Sequence, residues 1–142
     1  MVRPVAHRFL LDTDTVSDLV RNPGGQVARL LARHGEDMVC TSVVVAAEPR
    51  FGARKRGSPR LERQLEAVLR VLDVLPLESP ADDPYAELRL ALAQAGTPIG
   101  PNDVRLAAHA LALDLTLVSG HGRGLTRAPA PRVANWMAPS PS

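Results

Sequence analysis

The stretch FLLDTDTVSDLVR, residues 9–21, passes from three apolar residues into two aspartates one residue apart and then into a helical pattern. Its start, with the preceding His7 and Arg8, reads as a buried strand, and TVSDLVR reads as a helix. A carboxylate at the edge of a core is costly without a partner. Asp12 and Asp14 therefore either cap the turn into the helix or address a cation. If extended geometry persists past Leu11, the two side chains share a face, because positions two apart in a strand point the same way.

The same alternation continues outward from this unit. GGQVARLLARHG gives a second helix after the breaker Asn22-Pro23-Gly24-Gly25. DMVC is a second short strand, after which Thr41 or Ser42 caps the helix VVVAAEPRFGARKRG. In SPRLERQLEAVLRVL, Ser58 suits the cap, Pro59 the first helical position, and Leu61, Leu65, Val68, Leu69 and Leu72 form one apolar stripe. DVLPL, TLVS and RVANW add strands, separated by the helices ending at Gly96 and running through VRLAAHALALDL. Strands joined by helices on this rhythm predict an α/β domain with a mainly parallel sheet of four to five strands covered on both sides.

At 142 residues the chain fits one domain, expected over residues 1–136, with 137–142 as a disordered tail. Hydrophobic residues make up 45% and charged residues 23%, with a mean hydropathy of -0.04, which is globular composition. The longest apolar run, LAAHALALDLTLV, has 13 residues and contains His109 and Asp114, short of the roughly 20 that span a bilayer. The N-terminus has no apolar run followed by a small-residue cleavage site, and the single Cys40 sits in an apolar segment as a small core thiol, so a cytoplasmic location is expected. Of seventeen basic residues only Lys55 is lysine, and several bases cluster in PRFGARKRGSPRLER, a segment able to meet phosphate.

In a parallel sheet, ligands gather outside the carboxyl ends of the strands, which is where Asp12 and Asp14 fall. Glu48 lies in the apolar VVVAAE on a pattern that faces the sheet, so it either pairs with an arginine such as Arg50 or meets a cation. Asp103, in GTPIGPND, follows a Gly/Pro loop and opens the next helix, where a carboxylate also favours the helix dipole. Carboxylates that converge without Cys or His suit a hard divalent ion, magnesium or manganese.

The order FLLDTDTVSDLVR, TSVVVAAEPRFGARKRGSPRL, VLPL, YAELRLALAQAGTPIGPNDVRLAAHALALDLTLV and RVANW resembles the PIN-domain toxins of VapBC toxin–antitoxin pairs, from about Phe9 to Trp136. The resemblance implies a three-layer α/β/α sandwich, a homodimer, a VapB-like antitoxin partner, and Mg2+-dependent endoribonuclease activity on transfer or ribosomal RNA. DNA would be met only through the antitoxin. Carried over residue by residue, Asp12 matches the first metal-binding aspartate, Glu48 the glutamate after the second strand, and Asp103 the aspartate of the PND motif. These are the expected catalytic ligands, activating water for attack on phosphorus.

Two departures from the family pattern matter. Gly120 and Gly124, in TLVSGHGRGLTR, stand where relatives carry polar or acidic side chains, and Pro49 follows Glu48 inside a helix, where proline costs about 3 kcal/mol. Asp14 is the candidate that restores charge at the metal site. The competing expectation is a catalytically degenerate module that binds antitoxin and serves operon autoregulation without nuclease activity. His109, on an apolar helix, is expected to be a packed core histidine, and Trp136 to seal the sheet edge.

Overall fold

The computed structural model describes residues 7–96, 99–120 and 130–138. The chain runs β1 (Phe9–Leu11), α1 (Thr13–Arg21), α2 (Gln26–His34), a short 3-10 turn, β2 (Val39–Ser42), α3 (Val43–Arg56), α4 (Pro59–Val71), β3 (Asp73–Leu75), α5 (Asp82–Gln94), α6 (Pro101–Leu113), β4 (Thr116–Val118) and β5 (Val133–Ala134). The five strands form one sheet in the order β3-β2-β1-β4-β5, and every pairing is parallel. This is the α/β/α arrangement expected from the sequence. Parallel strands need long crossovers, and their right-handedness puts α1 to α4 on one face and α5 with α6 on the other.

Apolar residues on both faces explain why β1 is central. Leu10 and Leu11 are fully buried, as are Val39 and Cys40 of β2 and Val118 of β4. Such strands read as continuous apolar runs because helices cover both sides. Burial pushes the Cys40 thiol up to about 12, with the Asp73 carboxylate adding to the effect, so it packs as an inert core group.

Local signals place the helix ends. The Ser58 hydroxyl accepts from the Leu61 amide at 3.2 Å, Pro59 takes the first helical position, and Gly57 ends α3 with φ of 60°. α3 runs unbroken through Pro49 to Arg56. α6 begins at Pro101, three residues earlier than VRLAAHALALDL suggests, because proline is well suited to the first turn. Trp136 is buried and stacks on His34 with ring centroids 5.3 Å apart, beside Phe9 at 5.1 Å. It covers the sheet as expected.

The tail expected from Met137 onward is held at its first two residues. Asn135 Oδ1 accepts from the amides of Met137 and Ala138, at 2.9 and 3.1 Å, and Gln26 Nε2 donates to the carbonyls of Trp136 and Ala138. Residues 139–142 lie outside the described range. Among the described residues no helix is long and apolar enough to cross a membrane.

Because Leu10 is fully buried in the central strand, Leu10→Ala should cost about 2–5 kcal/mol. Urea denaturation followed by circular dichroism checks this as a lowered midpoint with an unchanged slope.

Candidate active site

Strand order reverses beside β1: the chain moves outward through β2 and β3, then returns to place β4 and β5 on the other side. The crevice outside the carboxyl ends of β1 and β4 is the ligand-binding position of such sheets. Asp12 stands there. Its amide donates to the Val118 carbonyl at 3.0 Å, extending the β1–β4 ladder by one bond, and its Oδ1 accepts from the Thr15 amide at 2.9 Å as the cap of α1. The residue is only 4% exposed. Of the two duties the sequence offers Asp12, capping is the one the structure shows, and its place at the end of β1 is compatible with the other. Thr15, fully buried, adds a hydroxyl bond to the same Val118 carbonyl at 3.3 Å.

Asp14 is placed differently from the extended-chain expectation. β1 ends at Leu11 and α1 begins at Thr13, so Asp12 and Asp14 flank a helix start and are not successive positions on one strand face. Asp14 sits half-buried in the first turn, where its charge favours the helix dipole.

Glu48 is exposed and does not face the sheet. The buried positions of α3 are Val45, Ala46 and Ala53, and Glu48, three residues on from Val45, stands at the exposed margin of that arc. Nor does it pair with Arg50, whose guanidinium forms an ion pair with Glu66 of α4 and draws that carboxyl below its ordinary range. Instead Glu48 Oε1 accepts from Asn102 Nδ2 at 3.5 Å, a long contact that links α3 to the first turn of α6, beside Asp103. Asp103 is exposed in that first turn.

A second link joins the same helices more deeply. His109 Nδ1 lies 3.0 Å from Ser42 Oγ, and that hydroxyl also accepts from the Val44 amide at 3.2 Å, capping α3. Both side chains are buried. α3 and α6 are therefore tied by two rungs of opposite chain direction, Ser42 to His109 and Glu48 to Asn102. Asn102 was not singled out in the sequence, although its place in PND, one residue before Asp103, was the available signal. His109 Nε2 is buried without a hydrogen-bond partner among the described residues. Burial lowers the His109 pKa, with the Glu78 carboxylate acting in the opposite sense.

At the end of β4, Ser119 is buried and Gly120 is exposed. A Cβ on Gly120 would come within 2.9 Å of Met137 Cε, so any side chain there needs the methionine tip to move. Gly124 lies outside the described residues.

Asp12, Asp14, Glu48 and Asp103 offer carboxylate oxygens alone, a donor chemistry that fits magnesium or manganese. Among the described residues, no three His, Cys, Asp or Glu side chains are grouped closely enough to hold an ion. What the fold brings to one end of the sheet is the set of elements that carry them.

Comparison with known proteins identifies the family and the fold. A family model, the PIN domain, matches residues 9–130. The tRNA(fMet)-specific endonuclease VapC of Salmonella typhimurium is 31% identical over 132 residues, covering 91% of this chain and 98% of that protein. Among solved structures, DNA-bound VapBC from the same organism superposes with a TM-score of 0.81 at 30% identity, covering 92% of this chain and 98% of that one. VapBC2 from Rickettsia felis, bound to a DNA fragment from their promoter, gives 0.80 at 27%, covering 90% and 98%. The chain belongs to the PIN domain family, among the VapC proteins.

The buried neutral histidine has a pH consequence. The unfolded chain takes up a proton near pH 6.5, whereas folded His109 resists it to lower pH. Its contribution is intact above about pH 6.5 and is lost as pH falls toward the folded-state value. Chemical denaturation from pH 7 to 5 should show a decline in stability that is shallower in His109→Gln.

Proposed function

We propose that this chain is the toxin of a type II toxin–antitoxin pair, a magnesium-dependent endoribonuclease acting on RNA, with transfer RNA favoured over ribosomal RNA by the relative that carries a tRNA specificity in its name. The observation that carries the reading is the delivery of three acids, Asp12 after β1, Glu48 on α3 and Asp103 at the start of α6, to the carboxyl end of a sheet at its switch point. Asp12, Glu48 and Asp103 would hold the ion, with manganese as the alternative, and Asp14 would add charge from the first turn of α1. When bound, the ion supplies Lewis acidity, raising the nucleophilicity of water and offsetting charge on phosphate. The chain's own residues orient: the α1 cap fixes Asp12, and the Asn102 bond leans Glu48 toward the end of α6 that carries Asp103. No side chain is assigned a covalent role.

The partner proposed is a VapB-like antitoxin that covers this end of the sheet, supported by the VapBC complexes among the structural neighbours. The active form is proposed to be a homodimer, and DNA is met through the antitoxin. A second reading, a module that binds antitoxin without cleaving RNA, draws support from Gly120, whose missing side chain leaves the end of β4 to the Met137 tip.

Expression without antitoxin separates the two. On the nuclease reading the wild type arrests growth, and Asp103→Ala relieves the arrest. Asp12→Asn also abolishes magnesium-dependent cleavage of purified RNA, a loss beyond the about 10- to 100-fold typical of outer-shell changes, while keeping wild-type stability because asparagine caps helices as well as aspartate. Harmless expression of a folded wild-type dimer supports the second reading instead.

A further inference from the structure

We infer that Phe51 and Lys55 form a docking stripe beside Glu48 that stacks one unpaired base of the RNA and meets its adjoining phosphate. The inference rests on the nuclease reading above and deepens it by naming how substrate is held.

Phe51 is 63% exposed, the largest exposure of any large apolar side chain among the described residues. A phenyl ring this exposed offers a large, rigid apolar face on which a second planar group can stack. On α3, Glu48, Phe51 and Lys55 follow the i, i+3, i+7 spacing that puts side chains on one face, all three exposed, while Val45, Ala46 and Ala53 point into the protein. At about 1.5 Å of rise per residue, the ring stands about 4.5 Å along the axis from Glu48.

The charge around the ring selects the occupant. Lys55 Nζ lies 5.9 Å from the Phe51 ring centroid, so a cation and an aromatic face form a single patch. The end of the α3–α4 hairpin adds the exposed Arg56 and Arg60. Arg50 and Arg54, by contrast, line a hollow with Glu62 and Glu66 of α4, and Arg50 is already paired. An aromatic ring rimmed by exposed basic side chains matches a nucleobase followed by phosphate: stacking tolerates any base, and the cation neutralises the backbone. An apolar protein helix laid on the same face would have to strip water from Lys55 without compensation, and lysine is depleted in protein interfaces. With aromatics at 3% of the chain, stacking is confined to few stations and phosphate contacts carry the rest of the binding.

The test uses the full-length Asp12→Asn protein as parent, so that RNA is bound and not cut. Its binding to a fluorescein-labelled RNA stem–loop is followed by anisotropy, with a blunt duplex RNA as comparison. Phe51→Ala should weaken stem–loop binding about 5- to 150-fold, the range for loss of one stacked base, and Phe51→Trp should restore it. Lys55→Gln should flatten the dependence of log affinity on log salt by about 0.7, as loss of one single-strand phosphate contact does. Unchanged affinity in Phe51→Ala, with wild-type RNA cleavage intact, overturns the stripe and leaves the nuclease reading standing. So does a Phe51→Ala protein that binds RNA normally but turns monomeric in light scattering or releases a co-expressed antitoxin, since the face then belongs to protein. If the wild type cuts no RNA and the parent binds none, both readings fall together.

Discussion

The residue on which this fold turns is Asp12, a buried carboxylate that ends one element and begins the next. Its amide closes the ladder between the two central strands, and its side chain closes the first turn of α1. The cap is worth about 1 kcal/mol, but its position matters more than its energy. Asp12 lies where the strand order reverses, so the residue that starts the first helix also stands at the position where such sheets take ligands. Thr15 and Thr41 reinforce the same corner by donating hydroxyls to the carbonyls of Val118 and Leu11.

The other two acids depend on how α3 and α6 are held together. Ser42 and His109 form the inner rung, buried and short, and Glu48 with Asn102 forms the outer one, exposed and long. A buried hydrogen bond costs more to break than an exposed one, so the inner rung fixes the helices and leaves Glu48 adjustable at the open end. On the proposed reading Glu48 would have to move to meet an ion, since among the described residues the acids are not grouped closely enough to hold one.

Much of this was legible in the sequence. The run from FLL into DTDTVSDLV marks the β1–α1 junction, Ser58-Pro59 marks the start of α4, and alternation of strands and helices gives the parallel sheet. Composition around Cys40 and His109 predicts their burial. What could not be read was phase and partnership. The DTD spacing puts Asp14 on Asp12's face only if the strand continues past Leu11, where β1 in fact ends, and the apolar neighbours of Glu48 suggest a sheet-facing side chain although the buried arc of α3 leaves it exposed. The Asp14 difference comes from a boundary, since period-two and period-3.6 patterns diverge within a residue or two of a strand end and tertiary contacts set that end; the Glu48 difference is one of helical phase, since a run of apolar neighbours does not say which arc of α3 the sheet covers. The opposition of Gly120 and Met137, seventeen residues apart, is a tertiary fact of the same kind.

The central claim is that Asp12, Glu48 and Asp103 address a single divalent ion. Paramagnetic broadening by Mn2+ in amide NMR spectra of the wild-type protein tests it most directly. At sub-stoichiometric Mn2+, the amides around all three acids should broaden together, and the broadening should vanish from all three in Asp12→Asn. Broadening confined to one acid, or persisting around Glu48 and Asp103 without Asp12, would contradict it.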